Sequence, residues 1–261
     1  MKAVRTIREV RSSLQGAGRI GLVPTMGAFH EGHLSLFRAA RAECDVVVVS
    51  LFVNPTQFGS DDDLALYPRD EAHDARLAEE AGVDLLFVPE PGELYPDGFD
   101  TWVEIGETGA EGAARPGHFR GVATICLKLF NIVRPEIAYF GQKDAQQAAL
   151  LRRMIRDLDL ELELRVLPIV RDEDGLALSS RNAHLSRDER DRALALPRAL
   201  EAGRSAYARG SDPVAATRAA LNGLAPDYVE VLDLDGATVL AAAARVGSTR
   251  LIDNVILDKE S

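Results

Sequence analysis

Apolar residues fall along this chain in two kinds of run: short unbroken ones, and longer ones with helical spacing. Ile20–Val23, Val46–Val53 (interrupted only by Ser50), Asp84–Val88 and Ile137–Phe140 are of the first kind, and Leu162–Val170, broken by Glu163 and Arg165, reads as the last strand of the first domain. Such runs read as strands covered on both faces, as in a parallel sheet. Helical spacing joins Val4, Ile7, Val10 and Leu14 over residues 4–14, and Leu34, Phe37 and Ala40 up to Glu43. It returns from Glu71 to Ala81, where Gly82 stops it, within His118–Val133 (Val122, Ile125, Leu129, Ile132), and over Ala145–Leu158. Strand, loop and helix in series predict an α/β fold, a doubly wound parallel sheet with right-handed crossovers and a ligand site at the strand C-termini.

Two stretches depart from that alternation. Residues 89–117 are rich in Pro and Gly; Thr101–Ile105 reads as a short strand, and the rest as an excursion over the site, since loops of such length tend to be functional. After Val170 the composition shifts. Asp172-Glu173-Asp174-Gly175 is a turn, Leu176–Ser179 a short strand, and Ser186 with Glu189 a capping box that opens a long helix. A break at 210–213 opens another, with Asp212 as cap and Pro213 in the first turn. Tyr228–Leu234, Thr238–Leu240 and Arg250–Leu257 read as strands. The expected organisation is a first domain over 1–175 and a small α+β C-terminal domain over 176–261, with no internal repeat.

Composition narrows the class. A chain of 261 residues, 46% hydrophobic and 27% charged, matches an ordinary soluble enzyme. A net charge of -11 opposes nucleic-acid binding, which needs surplus Lys and Arg, yet leaves room for a nucleotide site with a few local cations. Cys44 and Cys126 sit among apolar neighbours and read as buried thiols. The N-terminus scatters charges through MKAVRTIREVRSSL, unlike a signal peptide or a membrane span, so a cytoplasmic protein is expected.

The chemistry concentrates in PTMGAFHEGH, Pro24 to His33. A strand ends there, a loop turns through Pro24, Thr25, Met26 and Gly27, and a helix begins with His30 and His33 three residues apart. Backbone N–H groups and the positive end of the helix dipole make such a corner a phosphate site. Gly27 and Gly32 allow close approach because no Cβ intervenes. The HEGH string resembles the zinc-protease motif, but its histidines are one residue too close and lack a third ligand cluster. A structural histidine remains the plain alternative. Lys143, in GQKD at the end of another strand, reads as a solvated lysine or as a point charge for a triphosphate. Ser179-Ser180-Arg181 reads as a capped turn or as an anion grip. Gln57 and Gln147 are neutral amides able to orient a small hydroxy acid, or simply exposed.

The segments PTMGAFHEGH, SLFVNPTQF, YPRD, LYPDGFDTWVE, RPGHFRGVATICLKLFNIVRPEIAYFGQKDAQQ and LALSSRN run in one order over most of residues 20–185. In this the chain closely resembles the pantothenate synthetase (pantoate–β-alanine ligase) family, of the nucleotidyltransferase superfamily shared with class I aminoacyl-tRNA synthetases. The resemblance implies a Rossmann-like first domain and a C-terminal lid. It implies a two-step reaction in which pantoate attacks the α-phosphorus of Mg-ATP, and β-alanine then displaces AMP from pantoyl adenylate. By the same resemblance, Met26 to His33 border ATP, together with Pro24 and Thr25, and His33 and His30 touch the phosphates. Gly141, Gln142, Lys143, Asp144, Val170, Leu178, Ser179, Ser180 and Arg181 contact the nucleotide, and Gln57 and Gln147 hold pantoate. His30, His33, Lys143, Ser179, Ser180 and Arg181 form the implied catalytic set. Mg²⁺ ligands stay unassigned, and a homodimer is implied, with the apolar face of 118–133 as a contributor. LALSSR lacks the lysines of the synthetases' Lys-Met-Ser-Lys-Ser loop, leaving Arg181 as that loop's cation, and Thr56 replaces a common Met. The rivals are a nucleotidyltransferase that stops at the adenylylated product and a nucleotide sensor without catalysis.

Overall fold

A computed structural model describes residues 1–59, 61–106 and 109–259. In chain order the elements are β1 (Lys2–Val4), α1 (Ile7–Ser13), β2 (Ile20–Thr25), α2 (Glu31–Glu43), β3 (Val46–Leu51), α3 (Asp61–Leu66), α4 (Glu71–Glu80) and β4 (Leu85–Phe87). There follow α5 (Pro91–Leu94), α6 (Ala110–Ala114), α7 (His118–Val133), β5 (Ile137–Gly141), α8 (Ala145–Asp157) and β6 (Glu163–Leu167). The remainder comprises α9 (Arg187–Ala193), α10 (Ala195–Ala208), α11 (Pro213–Ala220), β7 (Pro226–Asp233), β8 (Ala237–Val246) and β9 (Thr249–Lys259). Short 3-10 turns cover Pro55–Gln57, Gln142–Asp144 and Ser180–His184.

The chain divides into two compact units: Met1–Glu107, Arg115–Gly141 and Leu150–Leu167 in the first, and Thr108–Ala114, Gln142–Ala149 and Pro168–Ser261 in the second. The first is built on a parallel sheet of order β1-β4-β3-β2-β5-β6. Its central strands β2 to β5 are largely apolar because both faces are covered, whereas the edge strands β1 and β6 carry Lys2, Glu163 and Arg165. Along β3, Val48 enters the core shared with α1, α7 and α8, whereas Val47 and Val49 enter the core shared with α2 and α4. Chain order reverses between β2 and β5, the place where such sheets open a crevice at their strand C-termini. There the β2–β5 ladder ends at Leu22, two residues before Pro24, whose nitrogen has no hydrogen to donate.

The second unit carries the antiparallel sheet β7-β8-β9, with α9, α10 and α11 over one face. Its other face takes α6, held by a buried Glu111 that receives Arg250 Nη1 and Nη2 at 2.9 and 2.8 Å and Tyr228 OH at 3.2 Å. Gln146, at the start of α8, accepts the Glu111 N–H at 2.8 Å. Residues of α6 and of the α8 start thus pack as part of the C-terminal unit although they precede it in sequence.

Several elements differ from their sequence reading. Val4 is not on a helix but pairs with Phe87 across the β1–β4 ladder, where its burial is satisfied by the sheet. Thr101–Ile105 forms no strand; the Val103 N–H donates to Thr124 Oγ1 (3.0 Å) on α7 instead of to a ladder. Leu176–Ser179 makes only the bridge Arg171↔Ala177, as one arm of a turn. The Ser186–Glu189 capping box forms, but Leu194 ends α9 and a new helix begins. The strand read at Thr238–Leu240 runs on through Ala241–Ala244 to Val246. Alanine is depleted from strands, yet here Ala242 and Ala244 face one core and Ala241 and Ala243 the other, so tertiary packing overrides propensity. The apolar face of α7 (Val122, Ile125, Leu129, Ile132) is buried in the first unit's own core and is not available to a second chain.

Candidate active site

In the first unit the site begins where β2 runs into α2. Thr25 Oγ1 donates to Ser50 O at 2.6 Å, fixing the strand end. Gly27 and Ala28 then take left-handed backbone, with φ of 88° and 53°. The turn closes on Asp74 of α4, a carboxylate 1% exposed whose oxygens accept from Ala28 N (2.8 Å) and Phe29 N (2.7 Å). Burial pushes the Asp74 carboxyl above its usual range, while these two amide bonds pull it down. A Cβ at Gly27 would lie 2.9 Å from Asp74 Oδ2, in a conformation L residues avoid.

His30 is the N-cap of α2, and the two histidines form a reciprocal capping box. Gly32 N donates to His30 Nδ1 (3.1 Å) and His30 N donates to His33 Nδ1 (3.3 Å). An Nδ1 that accepts an amide hydrogen carries none of its own, so in each neutral ring the proton sits on Nε2. Both rings become Nε2–H donors, their centroids 4.2 Å apart. This corrects one expectation. The amides of Ala28, Phe29, His30, Gly32, His33 and Leu34 are all engaged within the corner itself. An anion here would meet the helix dipole and imidazole N–H groups rather than a cradle of free backbone amides.

Gln57 lies in the turn after β3, and a network missed in the sequence holds it. Asn54, 1% exposed, donates Nδ2 to Gln57 Oε1 (3.1 Å) and to Gly121 O (3.2 Å). Asn54 Oδ1 accepts from Tyr95 OH and Thr56 Oγ1, each at 3.0 Å. Burial raises the Tyr95 phenol pKa, so it stays a neutral donor. With Oε1 engaged, Gln57 presents Nε2, which lies 3.0 Å from Met26 Sδ in the β2 loop. Its main-chain carbonyl accepts from His118 Nδ1 (2.9 Å) and Arg115 Nη2 (3.2 Å) at the start of α7. Gly121 completes the fit, since a Cβ there would lie 2.5 Å from Thr56 O. The signal available beforehand was the Asn-Pro-Thr-Gln order, in which Asn precedes a proline turn; the contributions of Tyr95 and His118 are purely tertiary.

Gly141 closes a segment of the first unit, and the candidates that remain after it belong to the second. Gly141 ends β5, and Gln142, Lys143 and the exposed Asp144 form the following turn. Gln147 is half-buried in the first turn of α8, whereas its neighbour Gln146 is the glutamine engaged with Glu111. Val170 and Leu178, eight residues apart, are brought together by Leu178 N→Val170 O (3.0 Å) across a hairpin. Ser179 caps the next turn by accepting Arg181 N at 3.3 Å, which leaves Ser180 and Arg181 in a single 3-10 turn. The Ser179 hydroxyl thus performs the capping role, and Arg181 is half-buried beside it. Gln57 and the histidines lie in one unit, and Gln147, Lys143 and Arg181 in the other. Among the described residues no three His, Cys, Asp or Glu side chains are grouped to hold a metal ion. Cys126 is fully enclosed, its thiol pushed up to about 12 by burial, and is no nucleophile. No helix among the described residues is long and apolar enough to cross a membrane.

Comparison with known proteins gives concordant results. The sequence model of the pantoate-beta-alanine ligase family matches residues 1–256. The pantothenate synthetase of Acidobacterium capsulatum is 50% identical over 290 residues, covering 98% of this chain and 97% of the relative. The crystal structure of pantothenate synthetase from Thermus thermophilus superposes with a TM-score of 0.94 at 44% identity, covering 98% of this chain and 99% of that one. The pantoate-beta-alanine ligase of Francisella tularensis, solved in complex with beta-gamma ATP and β-alanine, gives a TM-score of 0.87 at 34% identity, with 98% of each chain covered.

Proposed function

The chain belongs to the pantoate–β-alanine ligase family, and from that premise we propose that it condenses pantoate with β-alanine at the expense of ATP. The observation that carries this reading is full-length identity of about one half to a named ligase, with the Thr25–His33 corner and the Gln57 turn both built. A pantoate carboxylate oxygen attacks the α-phosphorus of Mg-ATP; the bond to the bridging oxygen breaks and pyrophosphate leaves. The amine of β-alanine then attacks the acyl carbon of pantoyl adenylate, AMP departs with the acyl–oxygen bonding pair, and the amine loses a proton.

Such transfer needs positioning and charge neutralisation rather than a protein nucleophile. His30 and His33 offer Nε2–H to the phosphates, and the α2 dipole adds to their effect. Lys143 and Arg181 supply full positive charges, and Ser180 with Ser179 supplies hydroxyls. Pro24, Thr25, Met26, Gly27 and Gly32 form the ATP-side wall, joined by Gly141, Gln142, Asp144, Val170 and Leu178. Gln57, its Nε2 aimed by Asn54, and Gln147 hold pantoate through neutral amides. Mg²⁺ would enter with the nucleotide substrate, where it would neutralise phosphate charge during the transfer. The C-terminal unit acts as a lid that keeps water from the acyl adenylate. Family kinship supports a cytoplasmic homodimer, which light scattering on the purified protein tests.

The assay follows both half-reactions. Pyrophosphate exchange into ATP should require pantoate, and AMP release should require β-alanine as well. A stable adenylylated product with no amide would convert the reading to a simple nucleotidyltransferase, and no pantoate-dependent exchange would leave a nucleotide sensor.

A further inference from the structure

Asn254 lies within β9, the outer strand of the second sheet, and is 3% exposed. Its Oδ1 accepts from Gln142 Nε2 at 3.1 Å, and its Nδ2 donates to two successive carbonyls, Gln142 O and Lys143 O, each at 2.9 Å. Nearly all the bonding capacity of one buried amide is directed at the turn that carries Lys143. The preceding residue points elsewhere. Asp253, 2% exposed, accepts its neighbour's amide Asn254 N at 2.8 Å and receives a bidentate pair from Arg171 at 2.7 and 2.9 Å. Arg171 also donates to Gly175 O at 3.1 Å and bridges to Ala177, so it ties the hairpin that delivers Ser179–Arg181. Two adjacent residues of one strand therefore hold, by separate side chains, the turn of Lys143 and the hairpin of Arg181.

A lysine is a point charge on a flexible stem, and its effect on a phosphate depends on where that stem begins. We infer that Asn254 and Asp253 are positioning residues for the adenylylation step, fixing Lys143 and the Val170–Arg181 hairpin in one frame so that their cations meet the triphosphate as a preset pair. This rests on the reading of Lys143 and Arg181 as ATP-binding groups.

The test is a double-mutant cycle on the full chain. Asn254→Asp keeps the shape but turns an oxygen towards two carbonyls; Arg171→Lys keeps the charge but loses the bidentate pair. In pantoate-dependent ATP–pyrophosphate exchange, Asn254→Asp should lower kcat/KM for ATP by roughly thirtyfold and Arg171→Lys by roughly fivefold. In a Lys143→Ala background the Asn254→Asp loss should shrink below about threefold, and in an Arg181→Ala background the Arg171→Lys loss should do the same, because in each case the group being positioned is gone. Losses of equal size with and without the positioned cation (Lys143 for Asn254→Asp, Arg181 for Arg171→Lys) would overturn the inference and make the pair a structural seal on the sheet edge, as would a folded Asn254→Asp protein of full activity. If Asn254→Asp does not fold, Arg171→Lys decides by the same comparison. Absence of exchange in the unmodified protein would count against the ligase reading instead. The cycle is then read from ATP affinity by calorimetry, where the same dependence on Lys143 supports the positioning role and its absence overturns it.

Discussion

The His30–His33 corner and the Lys143–Arg181 assembly are built in opposite ways. The corner is made almost entirely from a run of ten residues, in which a strand end, a left-handed turn and a helix cap satisfy one another. From outside, Asp74 accepts two of its amides, Ser50 O accepts the Thr25 hydroxyl, and Gln57 Nε2 lies against Met26 Sδ. The assembly gathers the turn at 142–144, the hairpin at 170–178 and the turn at 180–184, and holds the first two through Asp253 and Asn254 near the end of the chain. In the corner the proposed binding groups are also structural ones, since each imidazole caps the helix through Nδ1. In the assembly the roles are divided, with Lys143 and Arg181 charged and half-buried, and Asn254 and Asp253 buried and bonded to the segments that carry them. Substitution should therefore damage folding and chemistry together in the first region and separately in the second.

That contrast is most exposed at Lys143. Lys143→Ala should reduce pantoate-dependent exchange by about a thousandfold while urea unfolding shifts by less than about 0.5 kcal/mol. A stability loss above about 1 kcal/mol would show the lysine to be a strut as well as a charge. Next comes Asp74→Ala, which leaves two buried amides without an acceptor. It should cost about 3 kcal/mol in urea unfolding and slow exchange in the protein that remains folded. An Asp74→Ala protein as stable as its parent would mean that the corner closes without outside help. The smallest and most discriminating change is at His33. Asparagine places its amide near the site of Nδ1 and glutamine near that of Nε2. His33→Asn should keep the helix cap yet lose about a hundredfold in exchange. His33→Gln should retain more activity and lose about 1 kcal/mol of stability, and identical behaviour of the two would refute the division of labour between the ring nitrogens.

Legibility in the sequence follows the same divide. The parallel sheet, its helices and the strand–loop–helix corner are periodic or local features, and the apolar runs of β2, β3 and β5 mark them directly. So do the caps at Ser186 and Asp212, where side chain and amide lie within three residues. The unmarked features are those settled by distant partners. Ala241–Ala244 joins β8 because two cores close over it, and Thr101–Ile105 stays out of any ladder because Thr124 takes its amide. Asn54 could be noticed beside Pro55, but its link to Tyr95 and Gly121 could not. Asp253 and Asn254 look like polar interruptions of an edge strand until Arg171 and Gln142 are brought to them.

By itself, then, the chain's order of apolar runs, glycines and caps determined a doubly wound α/β sheet and a strand–loop–helix corner with two histidines at the helix start. Those features are stabilised by contacts within a turn or two, which residue spacing encodes. Only the tertiary structure decided which nitrogen of each histidine caps α2, that the loop amides are already taken by Asp74 and the imidazoles, and that Lys143 is anchored from the last strand. The Asp74 and Asn254 anchors depend on hydrogen bonds between groups remote in sequence, whose direction is fixed only when the packed chain brings donor and acceptor within reach, and the histidine bonds, though local, depend on a ring orientation that residue spacing does not encode.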